Sequence, residues 1–209
     1  MKSNNLGHFD QSIAIVAQGL HKTYRNVTAI DGIDLTIHSG QIFGFVGPDG
    51  AGKSTTLKIL AGLSRPDRGR GQCYILGHDV IAEPESIRTL VGFMPQGLGL
   101  VLSPKLTVRQ NIDFFADLYH VERDRIESRA RQLLEITHLE KFPDRLASHL
   151  SGGMQQKLAL CCTLIHHPRI LILDEPTMGV DPVSRRDLWT IINELVANEG
   201  MTVIIATSY

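Results

Sequence analysis

Ile42-Phe43-Gly44-Phe45-Val46-Gly47-Pro48-Asp49-Gly50-Ala51-Gly52-Lys53-Ser54-Thr55 is the stretch on which the fold turns. Its first five residues form an apolar run of strand length. Ser54 to Leu63 then shows helical spacing, closed by Gly62 and by Pro66-Asp67. Between the two stands the pattern G-x-x-x-x-G-K-[ST], from Gly47 to Ser54. Its glycines let the backbone turn tightly enough to aim successive N–H groups at a polyphosphate, and the helix start adds a dipole that favours an anion. Lys53 would reach the β and γ phosphates, and the Ser54 hydroxyl would be a ligand for Mg²⁺. The segment from Gly47, Pro48, Asp49, Gly50 and Ala51 through Gly52, Lys53, Ser54 and Thr55 is therefore the first candidate binding site.

Outward from this unit, short β-like runs are expected at Ile13 to Val16, at Val27 to Ile37 with a break at Asp31-Gly32, at Gln72 to Leu76 and at Val91 to Met94. The period then changes. Val108, Ile112, Phe115, Leu118 and Tyr119 recur at helical spacing behind Thr107, a suitable N-cap, and a charged helix follows from Arg123 to about Thr137. A third helix begins after Ser151 and carries Leu158 to Ile165. Strand, helix and strand return at Ile170 to Leu173, Pro182 to Asn198 and Thr202 to Ala206. The expected architecture is one α/β domain over 1–209, with a core at 1–96 and 169–209 and an inserted helical subdomain at roughly 97–168. The apolar strand close to Tyr209, with no polar tail behind it, reads as a domain truncated at its C-terminus.

Ile170-Leu171-Ile172-Leu173-Asp174-Glu175 runs a buried-type strand directly into two acids, and ligand chemistry collects at the carboxyl ends of such strands. Asp174 is placed to hold Mg²⁺ opposite Ser54, and Glu175 to orient or deprotonate an attacking water. Ser151-Gly152-Gly153 at a helix start is a second anion site, offering amides, a hydroxyl and a positive dipole end.

Leu150-Ser151-Gly152-Gly153-Met154-Gln155-Gln156 resembles the signature motif of ATP-binding cassette (ABC) ATPases. With the phosphate loop, Gln96 in Phe93-Met94-Pro95-Gln96, Asp174-Glu175 and Gly179-Val180-Asp181-Pro182 in family order, the resemblance spans almost the whole chain. Met94 to Gly99 and Gly179 to Pro182 are most similar to nucleotide-binding domains of ABC-2 type exporters, particularly the first of two cassettes in tandem proteins. The resemblance implies a P-loop NTPase core with a mostly parallel sheet, an N-terminal antiparallel part and an inserted α-helical subdomain. It implies ATP and Mg²⁺ as ligands, with adenine stacking on Tyr24, and Gln96 sensing Mg²⁺ and the γ-phosphate on the hinge Gly97-Leu98-Gly99. It also implies a second cassette as partner, whose phosphate loop would be covered by Ser151, Gly152, Gly153, Met154 and Gln155, with Asp181 at the shared interface. A membrane permease on the cytoplasmic face would be the further partner. ATP hydrolysis coupled to export follows, and an alternative is a soluble ABC ATPase acting on the ribosome.

Three positions depart from the family pattern. Ser208 stands where a histidine usually contacts the γ-phosphate, and it can neither reach as far nor carry positive charge, so slow hydrolysis at this site is expected. Asp49 replaces a frequent Asn, and Arg109 a frequent acid. Composition sets the outer bounds. The 209 residues are 43% hydrophobic and 21% charged, with 21 Lys+Arg against 22 Asp+Glu, so a packed core is available and no basic excess points to nucleic acid. The longest apolar run, Leu158 to Ile165, is far short of the ~18 residues that a membrane span needs. No secretory signal is evident in MKSNNLGHFDQ. Cys73, Cys161 and Cys162 have neither zinc nor disulfide spacing and are expected as buried thiols. The adjacent His166-His167 diverge too far for a metal pair, and Met94 and Met154 read as packing residues.

Overall fold

The computed structural model describes residues 10, 12–97 and 101–208. In chain order the elements are β1 (Ile13–Tyr24), β2 (Val27–His38), β3 (Ile42–Val46), α1 (Lys53–Leu60), β4 (Gln72–Ile75), β5 (His78–Asp79), α2 (Pro84–Leu90) and β6 (Val91–Met94). They continue with α3 (Val108–Leu118), α4 (Arg123–Thr137), α5 (Gly152–Leu164), β7 (Ile170–Asp174), α6 (Pro182–Glu199) and β8 (Thr202–Thr207). One sheet is antiparallel, in the order β2-β1-β4-β5, and the other is parallel, in the order β3-β8-β7-β6. The expected parallel core, antiparallel N-terminal part and helices between β6 and β7 are therefore all present. The hinge expected at Gly97-Leu98-Gly99 falls partly on Leu98 and Gly99, outside the described residues.

Two readings of the N-terminal half need correction, and two short elements there were not read. β1 runs to Tyr24 instead of Val16, and β2 is continuous through Asp31-Gly32. Register irregularities at Ala17/Leu20 and Leu20/His21 switch the faces of β1, which hides its alternation, and Gly32 takes φ 76 within β2 instead of ending it. β5 and α2 carry too little periodic signal to be read, since α2 has one buried residue, Ile87.

β7 is buried along its whole length and β8 from Thr202 to Ala206, and alternation then assigns their faces. Ile170, Ile172, Ile204 and Ala206 join the core beneath β1, β4, α1 and α2. Leu171, Leu173, Val203 and Ile205 join the core formed with α3, α4, α5 and α6. Each fully buried aliphatic side chain there stabilises the fold by roughly 1.5–3 kcal/mol, so a sheet buttressed on both faces fixes its strand ends firmly. The helices start as their caps direct. Thr107 and Gln110 form a reciprocal capping box on α3, and Ser151 accepts from the Met154 amide on α5. Asp181 accepts from the amides of Val183 and Ser184 on α6, with Pro182 in the first turn, and Gly200 ends that helix in the left-handed region. Arg129 of α4 pairs with Glu199 of α6 through two bonds of 2.9 and 3.1 Å. All three cysteines are buried free thiols. Burial pushes Cys73 and Cys161 up to about 12 and Cys162 well above its ordinary value. No helix among the described residues is long and apolar enough to cross a membrane.

Candidate functional site

The phosphate loop leaves the carboxyl end of β3, two positions across the parallel sheet from the carboxyl end of β7, where Asp174 and Glu175 emerge. Gly52 takes φ 86, and a Cβ there would lie 2.1 Å from the carbonyl oxygen of Ala29, so only glycine lets the loop pass under β2 and enter α1. The first-turn amides of α1 have no intrahelical acceptors, and Thr56 is the first to bond back, to Gly52 at 2.9 Å. The loop amides and the helix start thus face a cleft of about 340 Å³ lined by Ala29, Asp49, Gly50, Gly52, Lys53, Ser54, Thr55, Gln96 and Glu175.

Lys53 folds over its own loop, its Nζ donating to the carbonyls of Gly47 at 2.7 Å and Pro48 at 3.0 Å and lying 4.0 Å from Glu175 Oε1. The Ser54 hydroxyl donates to Asp174 Oδ1 at 3.1 Å. Those two oxygens, with the Gln96 carboxamide at the cleft, are hard donors suited to Mg²⁺, which takes one or two protein carboxylates and completes its shell from water and phosphate. Among the described residues no three His, Cys, Asp or Glu come together as a metal cage. Glu175 sits in the left-handed region at φ 49, anchored by its amide to Ala206 at 3.0 Å, and its Oε1 is buried without a hydrogen-bond partner. Strained backbone and an unsatisfied buried carboxylate oxygen are marks of a site kept ready for a ligand.

Gln96 is exposed at the end of β6 and its Nε2 donates to Met178 Sδ at 3.2 Å. Tyr24 projects from the β1–β2 hairpin end, 46% exposed, with its hydroxyl 3.4 Å from Ser64 Oγ and Lys22 Nζ 5.0 Å from its ring centre. Ser208 is half-buried directly after β8, beside the Thr207 carbonyl that accepts from Gly47 at 3.4 Å.

The signature residues are not part of this cleft. Ser151 and Gly152 are exposed at the start of α5. Met154 is half-buried, and Gln155 turns back to donate to the carbonyls of Ala147 and Leu150. The neighbouring Gln156 donates to the Pro176 carbonyl, tying α5 to the segment after Glu175. Asp181 joins the signature group, because Gly153 packs so tightly on the α6 start that a Cβ would come within 2.2 Å of Ser184 Oγ and 3.7 Å of Asp181 Oδ2. Bonds from the Ser184 side chain and backbone hold the Asp181 carboxyl below its ordinary range. Met178 and Ser184 escape a sequence reading, since each matters through contacts with distant residues. A larger hollow of about 640 Å³ lies elsewhere, lined by Tyr119, Arg125, Arg129 and His166 among others, and holds no phosphate-loop or carboxylate residue of the site.

A strand-loop-helix phosphate site, two acids at the end of a strand two positions away in the same sheet and a separate signature helix define an ATP-binding cassette, and residues 30–178 match the family model described as ABC transporter. The chain belongs to the ABC transporter family. Over 197 residues it is 45% identical to the probable multidrug ABC transporter ATP-binding protein YbhF of Escherichia coli K12, covering 93% of this chain and 33% of that protein. Over 206 residues it is 36% identical to the Nod factor export ATP-binding protein I of Sinorhizobium fredii, covering 99% of this chain and 59% of that protein. The chain thus spans between a third and three fifths of these curated relatives. Its fold matches the ATP-binding cassette MJ0796, solved as a dimer bound to ADP and Pi, with a TM-score of 0.81 at 28% identity, over 92% of this chain and 87% of that one.

Proposed function

We propose that this chain binds and hydrolyses ATP with Mg²⁺ and, as the ATP-binding part of an ABC export system, converts that cycle into movement of a membrane permease at the cytoplasmic face of the membrane. The observation that carries the reading is the convergence of Lys53, Ser54, Asp174 and Glu175 on one cleft. The names of relatives that serve multidrug transport and Nod factor export support the export direction.

In this reading the amides from Gly50 to Thr55 cradle the polyphosphate, Lys53 leaves its loop carbonyls for the β and γ phosphates, and Tyr24 offers its ring to the adenine. Ser54, Asp174 and Gln96 would hold Mg²⁺, which supplies charge neutralisation to the phosphates. Glu175 orients an attacking water and accepts its proton. The separation of the signature group from the cleft supports pairing with a second cassette, each chain's Ser151 to Gln155 closing the other's phosphate site, with Asp181 at the contact. No direct contact with nucleic acid is proposed.

Lys53→Ala removes the one ammonium aimed at the phosphates and is expected to abolish most MgATP affinity in a calorimetric titration. Unchanged affinity would sink the reading. Glu175→Gln is expected to retain ATP binding and lose turnover in a paired assembly. Ser208 supplies a small neutral donor where positive charge would serve hydrolysis better. Restoring one preorganised contact to developing charge is worth ~10²–10³ in rate at most. Ser208→His in a complete, paired protein is accordingly expected to raise single-turnover hydrolysis tenfold or more with little change in ATP affinity. An unaltered rate would show that another group limits the site.

A further inference from the structure

Gln96 does not lie free in the cleft. Its amide is engaged by a sulfur atom from a turn that begins at Glu175: the Met178 amide donates to the Glu175 carbonyl at 3.2 Å, and the Met178 side chain reaches Gln96 Nε2 at 3.2 Å. The contact holds the Nε2 end of a carboxamide that already borders the cleft, and swinging that end toward a nucleotide gives the contact up, which is easily done because a thioether is a weak acceptor. Among the described methionines Met178 alone is exposed, at 59%, while Met94 and Met201 are buried and Met154 is half-buried. The three cysteines are buried and keep their protons, so they do not compete for an oxidant as thiolates.

We propose that Met178 is an oxidation-sensitive site: a hydroperoxide converts it to the sulfoxide, which holds Gln96 away from the nucleotide and weakens MgATP binding. The sulfur lone pair attacks one peroxide oxygen and the O–O bond breaks. The sulfur gains an S–O bond and loses two electrons, and the hydroperoxide leaves as water or alcohol. The new oxygen is a much stronger acceptor than the thioether, and the flexible methionine side chain lets it take the place of sulfur toward Gln96 Nε2. The inference rests on the reading of Gln96 as a ligand-facing residue. Strengthening one neutral hydrogen bond that binding must break changes affinity by roughly threefold to tenfold.

The test treats the purified nucleotide-free chain with hydrogen peroxide, maps oxygen uptake at each methionine by peptide mass spectrometry, and measures the MgATP Kd by calorimetry. Met178 is expected to oxidise well before Met94, Met154 and Met201, with Kd rising roughly threefold to tenfold and returning after treatment with methionine sulfoxide reductases. Met178→Gln, which places a permanent amide acceptor there, is expected to reproduce the weaker binding without peroxide. Met178→Leu is expected to give the same Kd before and after treatment. Oxidation no faster at Met178 than at Met94, an oxidised chain with unaltered Kd, or equal peroxide sensitivity in Met178→Leu would each overturn the proposal. A chain that binds no MgATP before oxidation would instead refute the nucleotide reading itself, so the two failures are distinct.

Discussion

Glu175 carries the clearest conflict between stability and chemistry at the scale of one residue. Its backbone sits at φ 49, and its Oε1 is buried without a donor. The left-handed conformation costs a non-glycine residue about 1–2 kcal/mol, while glycine's extra freedom in the unfolded chain costs about 0.5–1 kcal/mol, so strain relief wins. Glu175→Gly is therefore expected to stabilise the nucleotide-free chain by about 0.5–1 kcal/mol, because Lys53, 4.0 Å from the lost carboxylate, keeps its two loop carbonyls as acceptors. ATP turnover is lost at the same time. A raised urea midpoint at unchanged slope would show this, and a lowered midpoint would mean that the side chain stabilises its own turn. Lys53, Ser54, Asp174 and Glu175 could be read from sequence, because cradling a phosphate demands fixed residue types at fixed spacing beside an apolar strand. Met178 could not, since its meaning lies in a contact across 82 positions with Gln96.

At the scale of elements, the starts of α5 and α6 form one unit. A Cβ on Gly153 would lie 2.2 Å from Ser184 Oγ and 2.5 Å from Ser184 Cβ, and the second contact cannot be relieved by rotating a side chain. Gly153→Ala is thus expected to push the helices apart and to cost about 1–3 kcal/mol. Ser184→Gly removes both clashing atoms, so the double variant should be more stable than the sum of the single losses predicts. A double-mutant cycle by urea unfolding measures that coupling, and strict additivity would mean that the two helices adjust independently. The long helices were legible through their caps, with Thr107, Ser151 and Asp181 each accepting from the expected first-turn amides. β5 and α2 were not, because two residues have no period and a single buried Ile87 gives α2 no stripe. The full length of β1 was hidden for another reason: its bulges exchange inner and outer faces midway.

Across the whole molecule, alternating apolar strands and helical periods gave an α/β core with a helical insertion, whereas the antiparallel sheet and the split between nucleotide cleft and signature group were legible only through the family resemblance, because no local pattern encodes either. Tertiary packing also creates a proton linkage which adjacent histidines in a sequence do not disclose. His166 follows α5, stacks on Tyr119 at 3.8 Å between ring centres, and has no well-formed hydrogen bond at either ring nitrogen. Burial draws it down from 6.5 to about 4 against an opposite pull from the Val91 backbone, with smaller downward effects from Arg129 and His167. Between those two values the unfolded chain binds a proton at His166 that the folded chain refuses. Stability from this group is therefore complete above pH 6.5 and is lost as pH falls toward about 4. One such proton amounts to at most about 1.4 kcal/mol per pH unit. His166→Phe keeps an aromatic ring against Tyr119 and removes both the titration and the two unpaired nitrogens. Its urea midpoint is expected to exceed that of the parent at neutral pH, and the difference should widen steadily as pH is lowered through the window. Carboxylates held low by their partners, such as Glu127 beside Arg109, lose stability in the same direction but equally in both proteins, so they cancel in the comparison. A difference that stays constant from pH 6.5 down to about 4 would show that His166 takes up its proton without unfolding, with the hollow beside Arg125 and Arg129 opening to admit water.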